Sequence, residues 1–77
     1  MMKEKEFLED FANRLKRLMS DRNISQVELA EKTWLSRKTI YRCLKGDMMP
    51  SLDTYVNLVI ALDIEPRELA NLYWRID

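Results

Sequence analysis

The sequence contains no histidine and a single cysteine, Cys43. Without an imidazole or a second thiol, a disulfide scaffold, a zinc finger and His-based acid–base or metal chemistry are excluded. Gly46 is the only glycine, so a phosphate-cradling loop or a dinucleotide fingerprint, each of which needs several, is excluded too. The longest unbroken apolar run is Leu58–Leu62, far short of the roughly 20 residues that a membrane span requires. Neither sign of charge is in excess, with 13 basic and 13 acidic residues. Carboxylates alone could still do chemistry, but 77 residues leave little room for a substrate pocket. The chain reads as a non-enzyme with no cofactor and no metal.

What is present is a single small domain over residues 1–77, 47% apolar and 34% charged, which is too apolar for disorder. At this length folding hides only about 60% of the unfolded surface, so the core is marginal and a partner chain would help. The balanced charge is unevenly spread. Residues 1–22 carry six basic and five acidic side chains (+1), residues 23–46 five and two (+3), and residues 47–77 two and six (−4). Between Arg37 and Lys45 there is no acid. The first ten residues are highly charged and lack the apolar run of an export signal. With one unpaired thiol, the expected location is cytoplasmic.

Periodicity predicts five helices and no sheet. Phe7, Phe11, Leu15 and Leu18 recur at helical spacing and mark a first helix from about Lys5 to Arg22, with Asn23 placed to close it. Ser25-Gln26-Val27-Glu28 is a capping box, which starts a second helix running to about Thr33, with Ile24 as a hydrophobic staple toward Leu29. Ser36 caps a third helix, Arg37 to Lys45, closed by Gly46. Its inward positions are Ile40 and Leu44; Arg37, Lys38, Tyr41, Arg42 and Lys45 lie opposite. Ser51 caps a fourth helix whose buried stripe is read as Leu52, Tyr55, Leu58, Val59 and Leu62. Glu65-Pro66 opens a fifth, read as continuing through Leu69, Leu72 and Tyr73. Two short helices joined by a tight turn, the second basic and amphipathic, outline a helix-turn-helix over about residues 26–45.

The order of residues from Phe11 to Leu69, about three quarters of the chain, resembles the Cro and phage-repressor (xenobiotic response element) class of helix-turn-helix domains. The matching run is Leu15 and Leu18, then Ile24-Ser25-Gln26-x-Glu28-Leu29-Ala30 and Leu35-Ser36-Arg37-x-Thr39-Ile40. It continues with Gly46-x-x-x-Pro50-Ser51-Leu52 and Ala61-Leu62-x-Ile64. The resemblance implies an all-α, five-helix, lambda-repressor-like fold. It also implies that the third helix lies in the major groove of double-stranded DNA while the second crosses the backbone, as in repressors of this class. Ser36, Arg37, Lys38 and Arg42 would then lie nearest base edges, with Thr39 and Tyr41 at the margin. Gln26 would face a phosphate at a helix N-terminus, and Lys45 and the loop Gly46 to Met49 would follow the phosphates. Two positions depart from the pattern. Trp34 stands where a left-handed Gly is usual, so either the turn is strained by roughly 1–2 kcal/mol or it adopts another geometry. Asp63 replaces the Gly that usually closes the fourth helix.

Cations on a short helix are ordinarily a solvated face, and it is the motif around them that points to DNA. Arg37 can present paired donors to guanine O6 and N7, and Lys38 a single point charge. Arg37 with Tyr41, and Lys38 with Arg42, share helix faces at spacing four. Cys43 reads as a small packed residue. Val56 and Ile60 lie on a face that the family usually keeps polar, and Leu72, Tyr73, Trp74 and Ile76 add apolar area near the end. These six, with the helices of about residues 52–75, are the candidate interface of a twofold homodimer; the alternative is a tail folded over the first helix. The expected function is a dimeric, sequence-specific transcriptional regulator, a repressor, on an inverted repeat. The rival is a protein-interaction module with a protein partner, such as an antitoxin masking a toxin.

Overall fold

Serine caps and left-handed closures mark out the helices along the chain. The computed structural model describes residues 3–70. Five α-helices follow in order: α1 (Glu4–Asp21), α2 (Gln26–Thr33), α3 (Arg37–Lys45), α4 (Leu52–Leu62) and α5 (Pro66–Leu69). No strand occurs among the described residues. The Oγ atoms of Ser25, Ser36 and Ser51 accept from the amides of Glu28, Thr39 and Thr54, three residues on. Such a cap contributes about 1 kcal/mol. At α2 the Glu28 carboxylate returns to the Ser25 amide, completing the capping box.

Among the described residues four adopt positive φ: Asn23 (53°), Trp34 (63°), Gly46 (71°) and Asp63 (54°). Each follows a helix, and the chain turns there. Asn23 closes α1 with the Ile24 amide donating to the Met19 carbonyl at 2.9 Å. Asp63 closes α4 in the same manner, its amide and that of Ile64 reaching the Ile60 and Val59 carbonyls.

The inward faces meet in one core. Phe11, Leu15, Leu29, Ile40, Cys43, Leu58, Leu62 and Leu69 are fully buried, and burying a side chain of the larger apolar types among them contributes roughly 1.5–3 kcal/mol. α1 packs on α3 and α5, while α2 packs on α3 and α4. The Phe7 and Phe11 rings stack with centroids 6.4 Å apart, and Phe11 also meets the Tyr55 ring. Ile24 and Leu35 lean on the cluster from the two turns that flank α2. The Arg22 guanidinium donates to the Leu62 carbonyl at 2.9 Å, tying the end of α1 to the end of α4. The Tyr55 hydroxyl donates to the Pro66 carbonyl, holding α5 against α4.

Two expectations are corrected. Leu52 is not part of the buried stripe but 77% exposed. At about 100° per residue it lies about 120° around the helix from Leu58, and the inward place one turn before Leu58 is taken by Thr54, which is buried. The fifth helix ends at Leu69, where Ala70 is extended (φ −140°, ψ 139°) and buried. Leu72 and Tyr73 lie outside the described residues.

Candidate nucleic-acid interface

The basic third helix owes its orientation to three residues. Ile40, Cys43 and Leu44 fill the inward side of α3 and are buried. Because they recur at three- and four-residue spacing, the remaining positions must face away from the core. Arg37, Lys38, Tyr41, Arg42 and Lys45 are all exposed. Arg37, Lys38 and Arg42 have no ion-pair partner among the described residues. Arg14 and Arg67, by contrast, each contact a carboxylate at 2.7 Å. Lys45 stands over the Tyr41 ring, its Nζ 5.3 Å from the centroid, a favourable cation–π arrangement. Its only carboxylate neighbour among the described residues is Asp47 at 3.8 Å.

Ser36 and Thr39 are arranged differently from the cations. Ser36 Oγ accepts the Thr39 amide at 3.1 Å and lies 2.9 Å from Thr39 Oγ1. The two hydroxyls are engaged with one another at the tip of α3, and Thr39 is only partly exposed. They therefore hold the helix start, while the cations project beyond it. Gln26 is exposed at the first position of α2, where helix amides lack intrahelical acceptors.

The turn between α2 and α3 settles the question raised by Trp34. It keeps the left-handed geometry (φ 63°, ψ 13°) despite the indole. The buried Thr33 hydroxyl donates to the Leu29 carbonyl at 2.8 Å and accepts the Leu35 amide at 3.2 Å. Thr33 thus satisfies the turn's backbone on both sides, and the Trp34 side chain stands 94% exposed. Thr33 was not singled out from sequence, because a polar residue in the last turn of a helix ordinarily reads as surface.

Cys43 sits under this surface. Burial pushes its thiol pKa up, and the neighbouring Arg42 cation opposes that shift to a lesser degree. The thiol is a packed group whose charged thiolate form is disfavoured by burial.

On α4, Val56 is 42% and Ile60 71% exposed, as the sequence suggested. Leu52 joins them: residues 52, 56 and 60 are each four apart and form one apolar row. Leu72, Tyr73, Trp74 and Ile76 lie outside the described residues. Among the described residues, no helix is long and apolar enough to cross a membrane.

Comparison with known proteins places this geometry. The helix-turn-helix family HTH_3 matches residues 14–69. The chain is 39% identical to the restriction–modification controller protein C.AhdI from Aeromonas hydrophila. That match has a TM-score of 0.77 and covers 80% of this chain and 94% of the other. An HTH_3 family transcriptional regulator from Vibrio cholerae superposes with a TM-score of 0.82 at 20% identity, over 96% of this chain. This chain corresponds to 40% of that longer protein, and the likeness there is one of fold. No curated protein matched. With the family covering most of the chain and the basic helix held outward, the chain belongs to the Cro/C1-type helix-turn-helix family and is a DNA-binding transcriptional regulator.

Proposed function

We propose that the protein acts as a homodimeric repressor on an inverted-repeat operator, by occupancy and without chemistry. The observation that carries this reading is the outward face of α3, where Arg37, Lys38 and Arg42 are exposed with no ion-pair partner among the described residues. Arg37 reads guanine through paired donors, a contact that discriminates by about 1–3 kcal/mol. Lys38 and Arg42 flank it, and Ser36, Thr39 and Tyr41 sit at the margin of the base edges. Gln26 and Lys45 hold phosphates, which fix register without reading sequence.

The second copy docks on α4 through Leu52, Val56 and Ile60, whose combined exposure leaves an apolar row that water solvates poorly. A twofold axis there sets two copies of α3 about one DNA turn apart, roughly 34 Å. In this arrangement the acidic residues Asp53, Asp63, Glu65 and Glu68, carried by α4, α5 and the turn between them, face away from the duplex. The 39% identity to a restriction–modification controller supports a controller-type role, with restriction–modification genes as the regulated set.

Selection of bound duplexes from a random pool tests the reading. The expected winner is a short palindrome. Enrichment of no sequence, or of a site without twofold symmetry, contradicts the proposed mode of action. Co-purification of a stoichiometric second protein in place of a second copy would favour an interaction module instead.

A further inference from the structure

The phosphate contacts expected of Gln26 and Lys45 converge in a place where a third helix also contributes. Lys16 of α1, Gln26 of α2, and Tyr41, Leu44 and Lys45 of α3 line an open cleft of about 480 Å³. None of these lining side chains is a carboxylate. Lys45 Nζ, 5.3 Å above the Tyr41 ring, is restrained at the rim by the ring's negative face. The amides of Gln26 and Val27 open α2 and have no intrahelical acceptor, which adds the positive end of that helix. Two acids are close by. Asp47 lies 3.8 Å from Lys45, a distance longer than a tight pair, and both side chains are about half-exposed. The Glu28 carboxylate is turned back onto the Ser25 amide at 3.1 Å. Neither acid lines the cleft.

We propose that this cleft seats the DNA backbone, with Lys16 neutralising a phosphate there and the Tyr41 hydroxyl donating to it as an uncharged partner. The proposal rests on the DNA-binding reading and deepens it. It moves Tyr41 from the margin of the base edges to the backbone and brings α1 into direct contact with the duplex. Positive groups from three separate helices then fix one stretch of backbone, which sets the angle at which α3 enters the groove.

The test is the salt dependence of binding by the full chain, read by fluorescence anisotropy on a short mixed-sequence duplex and on the duplex recovered by selection. Lys16→Gln is expected to weaken both duplexes by the same factor. It should also reduce the slope of log affinity against log salt by about 0.9, the contribution of one neutralised phosphate. Lys16→Arg is expected to retain affinity and slope. Tyr41→Phe is expected to weaken both duplexes equally and leave the slope alone, since the lost group is neutral. Lys16 is exposed on a helix, so matched melting curves for Lys16→Gln and the parent separate lost contact from lost fold. If Lys16→Gln leaves affinity and slope unchanged while Arg37→Ala still relaxes base preference, the seat is overturned and the DNA-binding reading stands. If neither substitution has any effect, both fall. A loss confined to the selected duplex makes Lys16 a base reader and also overturns the seat.

Discussion

Helices α3 and α4 are built with the same ends and opposite outer faces. Each starts at a serine whose Oγ caps the amide of a threonine three residues on, with the two hydroxyls in contact, Ser36 with Thr39 and Ser51 with Thr54. Each closes on a left-handed residue, Gly46 in one and Asp63 in the other. Inside, both bury aliphatic side chains. Outside, α3 shows four cations and a tyrosine, while α4 shows Leu52, Val56 and Ile60. Capping and core packing therefore say where a helix is and which way it faces. Only the outer face bears on what each would meet: under the proposed function, a polyanion in the first case and the apolar row of a second copy in the second.

Changes on the shared inside are expected to be the largest and the most alike. Ile40→Ala and Leu58→Ala, both at fully buried sites, should each cost about 2–5 kcal/mol in denaturant melts. A much smaller cost at either would mean that its helix is not anchored as described. On the outside the helices should part company. Ile60→Asp is expected to shift sedimentation toward the 9.3 kDa monomer with helical signal retained. It should weaken operator binding by about 100-fold or more, since two linked half-sites bind far better than one. Arg37→Ala should leave the dimer intact and cost about 1–3 kcal/mol of base discrimination, seen as a flattened preference among operator variants. Ser36→Ala and Ser51→Ala should each lower stability by about 1 kcal/mol. Only the first should also alter DNA binding, which is the sharpest form of the contrast.

The smallest effect expected is alkaline. Burial raises the pKa of Tyr55, and of Cys43 with Arg42 opposing. A raised pKa in the folded state means that the native protein keeps its proton where the unfolded chain has lost it. Stability is therefore full below the unfolded value and falls as pH climbs through the folded one. Urea midpoints should decline between about pH 8 and pH 11, and Tyr55→Phe should remove part of that decline.

Much of this was legible in the sequence because the signals were local. The bounds of α2 and α3 follow from Ser25, Ser36 and Gly46, whose caps need only near neighbours. Cys43 reads from the sequence as a small packed residue, and its full burial beside Ile40 and Leu44 agrees, because those two fix the inward face on which it lies. Leu52 misled because spacing of three, counted from the first residue of a helix, drifts off the stripe within two turns. Lys16 was invisible among the other charges of α1, since the neighbours that make it part of a cleft come from α2 and α3. The geometry at Trp34 required Thr33, whose hydroxyl serves the turn from inside the core.

Gly46 ties the two ends of the story together. A methyl group placed on its α-carbon would come within 3.3 Å of the Leu8 carbonyl oxygen and 3.8 Å of the Ala12 β-carbon. The terminus of α3 thus lies close against the backbone of the first helix, where one added carbon would require a shift of a few tenths of an ångström, at a left-handed residue where a side chain adds strain. The tilt of the reading helix is accordingly inherited from the N-terminal third of the chain. Substitutions around Leu8, remote in sequence from the residues proposed to face bases, should surface as altered operator choice before they surface as lost fold.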